Sequence, residues 1–349
     1  MNYNAVFLAL LSAALFGIST PAAKLLLGTV SPAILAGLLY CGAGIGVAVL
    51  RRFVQKANFV RAEAGLRRAD IPWLAGAIAA GGIVGPFLLM VGLSYTDATA
   101  ASLLLMLEGV ATALLAWFVF HENFDRRIAL GMTFLVAGAM VLSWTGQPTL
   151  SALAGPAAIV GACIAWGLDN NLTRKVSLAD PLQIVEWKGI VAGPFNLLIG
   201  ILAGGNMPSP DTIAVAGLVG FLGYGVSLAL FVFALRHLGT ARTGAYFSTA
   251  PFIGALAAIV MLREPLTFQI VIAGVLMGAG VWLHLTEHHE HMHEHHPLAH
   301  NHAHVHDEHH RHAHGQDDPL GEPHSHAHSH ASMQHAHPHT PDMHHVHRH

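Results

Sequence analysis

LSYTDATAASLLLMLEGVATALLAWFVFHE, residues 93–122, aligns without a gap on LRHLGTARTGAYFSTAPFIGALAAIVMLRE, residues 235–264. Each copy closes one apolar run, passes through a short link, and carries a second apolar run to a glutamate, Glu122 or Glu264. A run of about 20 apolar residues is long enough to span a bilayer as a helix. The same helix–link–helix unit is therefore written twice in a chain built for a membrane.

The repeat extends outward from that stretch. Phe16-Gly17-Ile18-Ser19 matches Trp166-Gly167-Leu168-Asp169, each followed by a basic residue, Lys24 or Arg174, and Ser31-Pro32 then matches Asp180-Pro181. Apolar runs fall near 5–27, 31–50, 72–94, 99–118, 128–145, 155–173, 182–203, 213–235, 243–262 and 268–285. The chain of 349 residues is 53% hydrophobic and only 11% charged. Soluble domains carry about 25% charged residues, so the soluble pair that this length would allow is excluded. Links as short as Gly28-Thr29-Val30 and Tyr95-Thr96-Asp97-Ala98 force neighbouring helices antiparallel. A repeat of five helices is odd, so its second copy must insert upside down. The expected fold is an all-α integral membrane protein with ten transmembrane helices as two inverted five-helix repeats, 1–150 and 151–286, followed by a tail, 287–349. The first run, Ala5–Leu27, lacks a basic segment before it and reads as a retained helix rather than a signal peptide.

Basic residues set the orientation. Arg51, Arg52, Lys56, Arg61, Arg67, Arg68, Arg126, Arg127, Arg174, Lys175, Arg236 and Arg242 fall in loops on one side, against Arg263 alone in the opposite loops. This bias places both termini and the tail in the cytoplasm of a cell whose inner membrane holds the chain. Cys41 and Cys163 both lie in apolar runs, form no CxxC, and read as packing residues.

The paired Phe16-Gly17 and Trp166-Gly167 motifs with downstream Lys24 and Arg174, and the Glu122 and Glu264 helix ends before Gly-rich helices, resemble the drug/metabolite transporter superfamily in its EamA-type ten-helix branch. The resemblance covers about residues 5–285. It implies two bundles rocking around a central cavity that opens alternately to each side, often for export. The family often places proline near the middle of the fourth helix. The second half keeps Pro251, but the first half has Glu108-Gly109.

Glu108 is the sharpest single residue. A charge deep in an apolar helix costs at least about 2.5–3.5 kcal/mol unless it faces a cavity or a partner. It reads either as a proton-coupling or cation-binding carboxylate, or as a structural acid paired with a buried base or hydrogen-bonded to another helix. Further candidates for the solute or coupling site are Asp169, Asn170, Trp166, Ser19, Lys24, Glu186, Lys188, Arg242 and Tyr246. Each also has a plainer reading. Asp169 and Asn170 sit near a helix end before Arg174. Trp166 suits the core, and Lys188 can snorkel to water. Arg242 and Tyr246 share a face at i, i+4 that suits an anionic group, but Arg242 equally sets topology. His121-Glu122 and Arg263-Glu264 read as interfacial or helix-pairing residues.

After residue 286 the chain holds 25 of its 28 histidines. His289, His291, His293, His300, His302, His304, His306, His324, His326, His328 and His330 recur in His-x-His order, the pattern of a metal-binding tract for zinc, nickel, cobalt or copper. Without apolar periodicity the tail is expected to lack regular structure. His289-Glu290-His291-Met292-His293 satisfies the HExxH spacing, but in a tract where nearly every spacing occurs it does not indicate a protease. No GxxxxGK phosphate loop is present.

The chain reads as a transporter and not an enzyme: a secondary carrier, with export favoured and proton coupling through Glu108. Its partners are a small-molecule solute, membrane lipid and, through the tail, divalent metal ions, with no nucleic acid. No cofactor is required for transport. A divalent-cation exporter for nickel, cobalt or zinc is the alternative, weakened by the lack of a histidine cluster in the apolar runs. A membrane-anchored metal buffer explains neither the repeat nor Glu108.

Overall fold

The computed structural model describes residues 3–56, 65–119, 126–144, 150–176, 179–238, 240–285, 289–295, 298–304, 324–330 and 333–339. The helices are α1 (Tyr3–Leu27), α2 (Pro32–Lys56), α3 (Arg68–Tyr95), α4 (Ala98–Leu104 then Leu107–Phe118) and α5 (Arg126–Ser143). The second set is α6 (Leu150–Arg174), α7 (Pro181–Leu202), α8, α9 (Thr240–Phe247 then Ala250–Leu262) and α10 (Phe268–Leu285). Helix α8 joins Pro210–Gly220, a π-helical stretch Phe221–Val226, and Ser227–Leu238. Among the described residues eight helices are long and apolar enough to cross a membrane, and the last two are shorter apolar helices. The membrane part is all-helical, as expected.

Local signals set the starts. Asp180 caps α7 by accepting from the Leu182 and Gln183 amides at 2.9 and 3.4 Å, with Pro181 at the first helical position. Ser209 and Pro210 open α8 in the same way.

The two repeats interpenetrate. Helix α1 packs against α8 and α9, and α6 packs against α3 and α4, so each repeat lends its first helix to the other. The remaining large contacts join repeat mates, α2 with α7 and α5 with α10. Lipid tails give little hydrophobic drive between helices, so close backbone approach does the work. At the α2–α7 crossing, a Cβ on Gly44 would lie 2.6 Å from the Gly189 carbonyl carbon, nearer than any side chain tolerates. Ser12 and Ser227 exchange hydrogen bonds between α1 and α8, each hydroxyl reaching the other's carbonyl at 2.7 and 2.9 Å.

Four helices are interrupted at matching places. Helix α3 carries a π-helical stretch at Ile78–Val84 and its mate α8 carries one at Phe221–Val226. Helix α4 breaks at Leu105 and Met106, and its mate α9 at Ser248 and Thr249. Water does not reach such carbonyls in a bilayer, so side chains must serve them. The Gly81 carbonyl accepts from Tyr40 Oη at 2.8 Å and Trp166 Nε1 at 2.9 Å, and Gly82 accepts from Asn196 Nδ2 at 3.0 Å. The buried Cys163 thiol lies 3.6 Å from the Leu104 carbonyl beside the α4 break.

Charged side chains finish the helix ends at the α3–α4 link. Lys24 Nζ donates to the Leu93 and Thr96 carbonyls, completing the end of α3. Arg263 adopts the left-handed conformation, φ 56°, at the end of α9. The next residue, Glu264, accepts from the Ala98 and Thr99 amides at 2.8 and 2.7 Å and from Thr99 Oγ1 at 2.5 Å. Its carboxylate thereby caps α4 from the opposite repeat. The corresponding His121 and Glu122 lie outside the described residues.

Four short segments of the tail are described. Strand β1 (His289–His295) pairs antiparallel with β4 (Met333–His339), and β2 (Leu298–His304) with β3 (His324–His330). The strict His-x-His alternation has period two, which is the period of a strand. His306 lies outside the described residues.

Glu264→Ala removes three hydrogen bonds at a helix start. It should lower unfolding stability by about 1–2 kcal/mol, read as a lower thermal midpoint of the detergent-purified protein. Glu264→Gln, which keeps one acceptor oxygen, should lose less.

Candidate functional site

Helix α6 organises the polar interior. Asp169 and Asn170 lie three and four residues after Trp166, and Thr173 lies four after Asp169, so the four run along neighbouring faces. Trp166 is fixed by its bond to the Gly81 carbonyl. One turn on, Asp169 lies directly over the same glycine, where an added Cβ would come within 1.9 Å of Asp169 Oδ2. In the other half Ser19, the repeat mate of Asp169, lies over Gly223 of the α8 π stretch, where an added Cβ would be 2.4 Å from Ser19 Cβ. The Ser19 hydroxyl itself turns back to the Phe16 carbonyl at 2.6 Å.

Asp169 is neutralised. Its Oδ1 accepts from Lys188 Nζ at 2.6 Å and from Thr173 Oγ1 at 2.8 Å, and Lys188 also reaches Thr173 Oγ1 at 2.9 Å. The two charged side chains are 9% and 17% exposed, so the pair is largely withdrawn from solvent. Glu186, two residues before Lys188, serves a different contact. Arg51 at the end of α2 bonds Asp180 at 2.8 Å and Glu186 at 3.0 Å, tying α2 to the start of α7.

Glu108 stands apart from both pairs. It occupies the first turn of the second α4 segment, just past the break. Its Oε1 accepts from Asn170 Nδ2 at 2.9 Å, and the same amide reaches Thr112 Oγ1 at 3.1 Å. Glu108 makes no ion pair among the described residues. Asn170 belongs to α6, so Glu108 is hydrogen-bonded to another helix, which is the arrangement its structural reading describes. Asn171 braces the same place by donating to the Thr112 and Gly167 carbonyls at 3.1 and 2.8 Å. These residues line a cleft of about 370 Å³ between α4 and α6, with Gly109, Ala113 and Ala116 as its apolar wall and Arg174 at its edge. The volume suits a small ligand. An added Cβ on Gly109 meets nothing within 4 Å, so this glycine faces the open cleft.

The other sequence candidates separate from this cleft. Lys24 serves the end of α3. Tyr246 is half-buried just before the α9 break, where its carbonyl accepts from Thr249 Oγ1 at 2.6 Å. The Arg242 side chain lies outside the described residues, so its shared face with Tyr246 is not described. Sequence reasoning missed Tyr40, Arg51, Thr112, Thr173 and Asn196. Thr112 was accessible in principle, lying four residues after Glu108 on the same face. It also missed a chain of aromatic rings across four helices. Tyr40 and Phe16 each lie 5.8 Å from Tyr224, Phe16 lies 5.4 Å from Phe247, and Phe247 lies 5.0 Å from Phe231.

An interrupted, inverted-repeat helical fold with a small polar cleft beside a helix break is transporter architecture. A profile of the EamA-like transporter family matches residues 3–144 and 153–286, one match per repeat. The chain belongs to the EamA-like transporter family. It is 28% identical over 281 residues to an uncharacterized transporter of Methanothermobacter thermautotrophicus, covering 77% of this chain and 82% of that one. It is 27% identical over 204 residues to a protein of Salmonella typhimurium named as a probable amino-acid metabolite efflux pump, covering 53% of this chain and 66% of that one. A crystal structure superposes with a TM-score of 0.59 at 15% identity, over 80% of this chain and 95% of that one, and shares the fold. The chain is thus a multi-pass membrane transporter of small solutes and not an enzyme.

The Asp169–Lys188 pair of this transporter gives a direct test of the geometry. Breaking a buried ion pair from one side strands the other charge and costs about 3–5 kcal/mol. Lys188→Met and Asp169→Asn should each lower the thermal midpoint strongly. The double variant should recover much of the loss. Asn is the fitting replacement, because the Gly81 backbone leaves no room for a larger side chain.

Proposed function

We propose that the transporter exports a small amino-acid-class metabolite in exchange for protons, with Glu108 as the shared site for the solute's ammonium group and the proton. The observation that carries this reading is the contrast between its two interior acids. Among the described residues, Asp169 is held by Lys188, while Glu108 is held by the neutral Asn170 amide and no cation. An unpaired carboxylate in a membrane is stable when it takes a proton or a cationic ligand, and it can exchange one for the other. The Ala113 and Ala116 wall suits a short side chain. The likeness to a probable amino-acid metabolite efflux pump supports the same class and direction.

The positive-side bias of the loops supports an inner-membrane orientation with both termini in the cytoplasm. Alternating access then follows from the exchanged helices. Rocking α1 with α8 and α9 against α6 with α3 and α4 exposes the cleft first to one side and then to the other. The matched breaks in α4 and α9 and the π stretches in α3 and α8 are the places where the helices can flex. The alternative of a divalent-cation exporter is less well supported. Among the described residues no group of three His, Cys, Asp or Glu side chains is assembled for a metal.

The test is flux in proteoliposomes holding only this protein, screened with labelled amino acids under an imposed proton gradient. Glu108→Gln should abolish proton-driven movement of the transported solute, a loss of about tenfold or more, while leaving the protein folded. Proton-driven flux at the wild-type rate in Glu108→Gln would overturn the coupling role. Gly109→Val projects into the cleft from a position where an added Cβ meets nothing within 4 Å. It should cut flux about tenfold with an unchanged thermal midpoint. Cells overproducing the wild type should hold a smaller internal pool of the solute, and a larger pool would reverse the direction assigned.

A further inference from the structure

Two charged side chains grip the link between α3 and α4, and neither forms an ion pair among the described residues. Lys24 of α1 donates to the carbonyls that close α3, those of Leu93 and, at 2.9 Å, Thr96. Glu264, just past α9, accepts from the amides that open α4, Ala98 at 2.8 Å and Thr99 at 2.7 Å, and from Thr99 Oγ1 at 2.5 Å. The signs match the helix ends, a cation on free carbonyls and an anion on free amides. Lys24 and Glu264 both belong to the bundle of α1, α8 and α9. The link belongs to the other bundle, since an added Cβ on Gly155 of α6 would overlap Thr96 Oγ1. The grip therefore joins the two bundles, and it lies on the far face, three crossings from the start of α1.

Beneath the grip the bundles meet through backbone. Ala98–Leu104 of α4 packs against Ala250–Leu262 of α9. An added Cβ on Gly254 would lie 2.8 Å from the Gly17 carbonyl oxygen and 2.9 Å from Ser102 Oγ, so α1, α4 and α9 close here without room for a side chain. Ser102 is 1% exposed, and its hydroxyl has no hydrogen-bond partner among the described residues. Past their breaks α4 and α9 turn to different neighbours. Leu107–Phe118 packs on α6, and Thr240–Phe247 packs on α1 and α8. The two helices are thus sealed together in the far half and part toward the near half, where α4 lines the Glu108 cleft.

We propose that Lys24 and Glu264 are the gating residues of the far face, and that their release from the α3–α4 link is the step that opens the transporter to that side. This rests on the rocking of the two bundles described under the proposed function. The chemistry suits a joint that is made and broken. Hydrogen bonds to charged groups are the stronger ones, so the closed state is held firmly. The grip sits at the ends of the spans, where water takes over each bond once it parts, whereas a carbonyl deep in the bilayer has no such replacement. Parting Ser102 from Gly254 breaks no hydrogen bond. Two charges directed at backbone ends, rather than at each other, also leave no ion pair to be stranded when the face opens.

The test needs no knowledge of the solute. Full-length detergent-purified protein carrying Ser102→Cys is treated with a charged methanethiosulfonate reagent, and labelling at each cysteine is followed by peptide mass. Position 102 lies in the seam and reports its opening. The native Cys163 is fully buried between α6 and α4, inside one bundle, and reports loosening of the fold. With the grip intact, position 102 should label slowly and Cys163 should stay protected. Lys24→Met and Glu264→Gln should each speed labelling at position 102, and together by about tenfold or more, with Cys163 still protected. Faster labelling at both positions would make the two residues plain helix caps and overturn the gating role. An unchanged, measurable rate at position 102 would mean that the bundles part without this gate, which overturns the gate and leaves the rocking intact. No labelling at position 102 in any of these proteins would overturn the rocking and the gate together.

Discussion

Within a bilayer a backbone carbonyl released from its helix has no water to turn to, and an unserved one costs several kcal/mol. That constraint governs the arrangement around the α3 π stretch. The Gly81 carbonyl must be met, and it is met twice, by Tyr40 from α2 and Trp166 from α6. The Gly82 carbonyl is met by Asn196 from α7. Three helices are therefore held around α3 by the repair of its own irregularity. The glycine that frees the carbonyl also makes the room in which Asp169 sits, so the carboxylate and its Lys188 partner inherit their position from the same break.

The exchange of first helices carries this local arrangement to the whole domain. Trp166 and Asp169 belong to the second repeat but lie against α3 of the first, while Phe16 and Ser19 belong to the first but lie against α8 of the second. Neither repeat can bury its own opening helix, so the halves are held together by what each lends. A joint of this kind permits rocking, because α1 and α6 travel with the opposite bundle. The charged caps follow the same logic, since Glu264 from the second repeat completes the start of α4 in the first.

Much of this was legible in the sequence because it is written locally. Apolar run length gives the spans, matched motifs give the repeat, and odd helix number gives its inversion. Glu108 was legible because it is the one charged residue in the apolar run 99–118. The π stretches were not legible, since Ile78–Val84 is an unremarkable apolar segment whose irregularity depends on donors from three other helices. The α4 break was half legible: Pro251 marks its mate in α9, but no proline marks Leu105 and Met106. Arg51 was counted only as a topology-setting charge, because its partners Asp180 and Glu186 lie more than a hundred residues away.

The symmetry of the fold and the asymmetry of its chemistry have different origins. Backbone breaks recur in both repeats because both must flex. The charges do not recur. Ala250 stands where the first repeat has Glu108, Ser19 stands where the second has Asp169, and Leu39 stands where the second has Lys188. Two equivalent carboxylates across a pseudo-two-fold would compete for one proton and oppose each other in a low dielectric. A single carboxylate at this place avoids that conflict. The ion pairs add a bias. Arg51 joins α2 of one repeat to α7 of the other, so its bonds to Asp180 and Glu186 favour the arrangement in which those two ends lie together. An inverted repeat with identical halves would make its two end states equal in energy. Here the sequence keeps the shared backbone and breaks the balance with a few side chains.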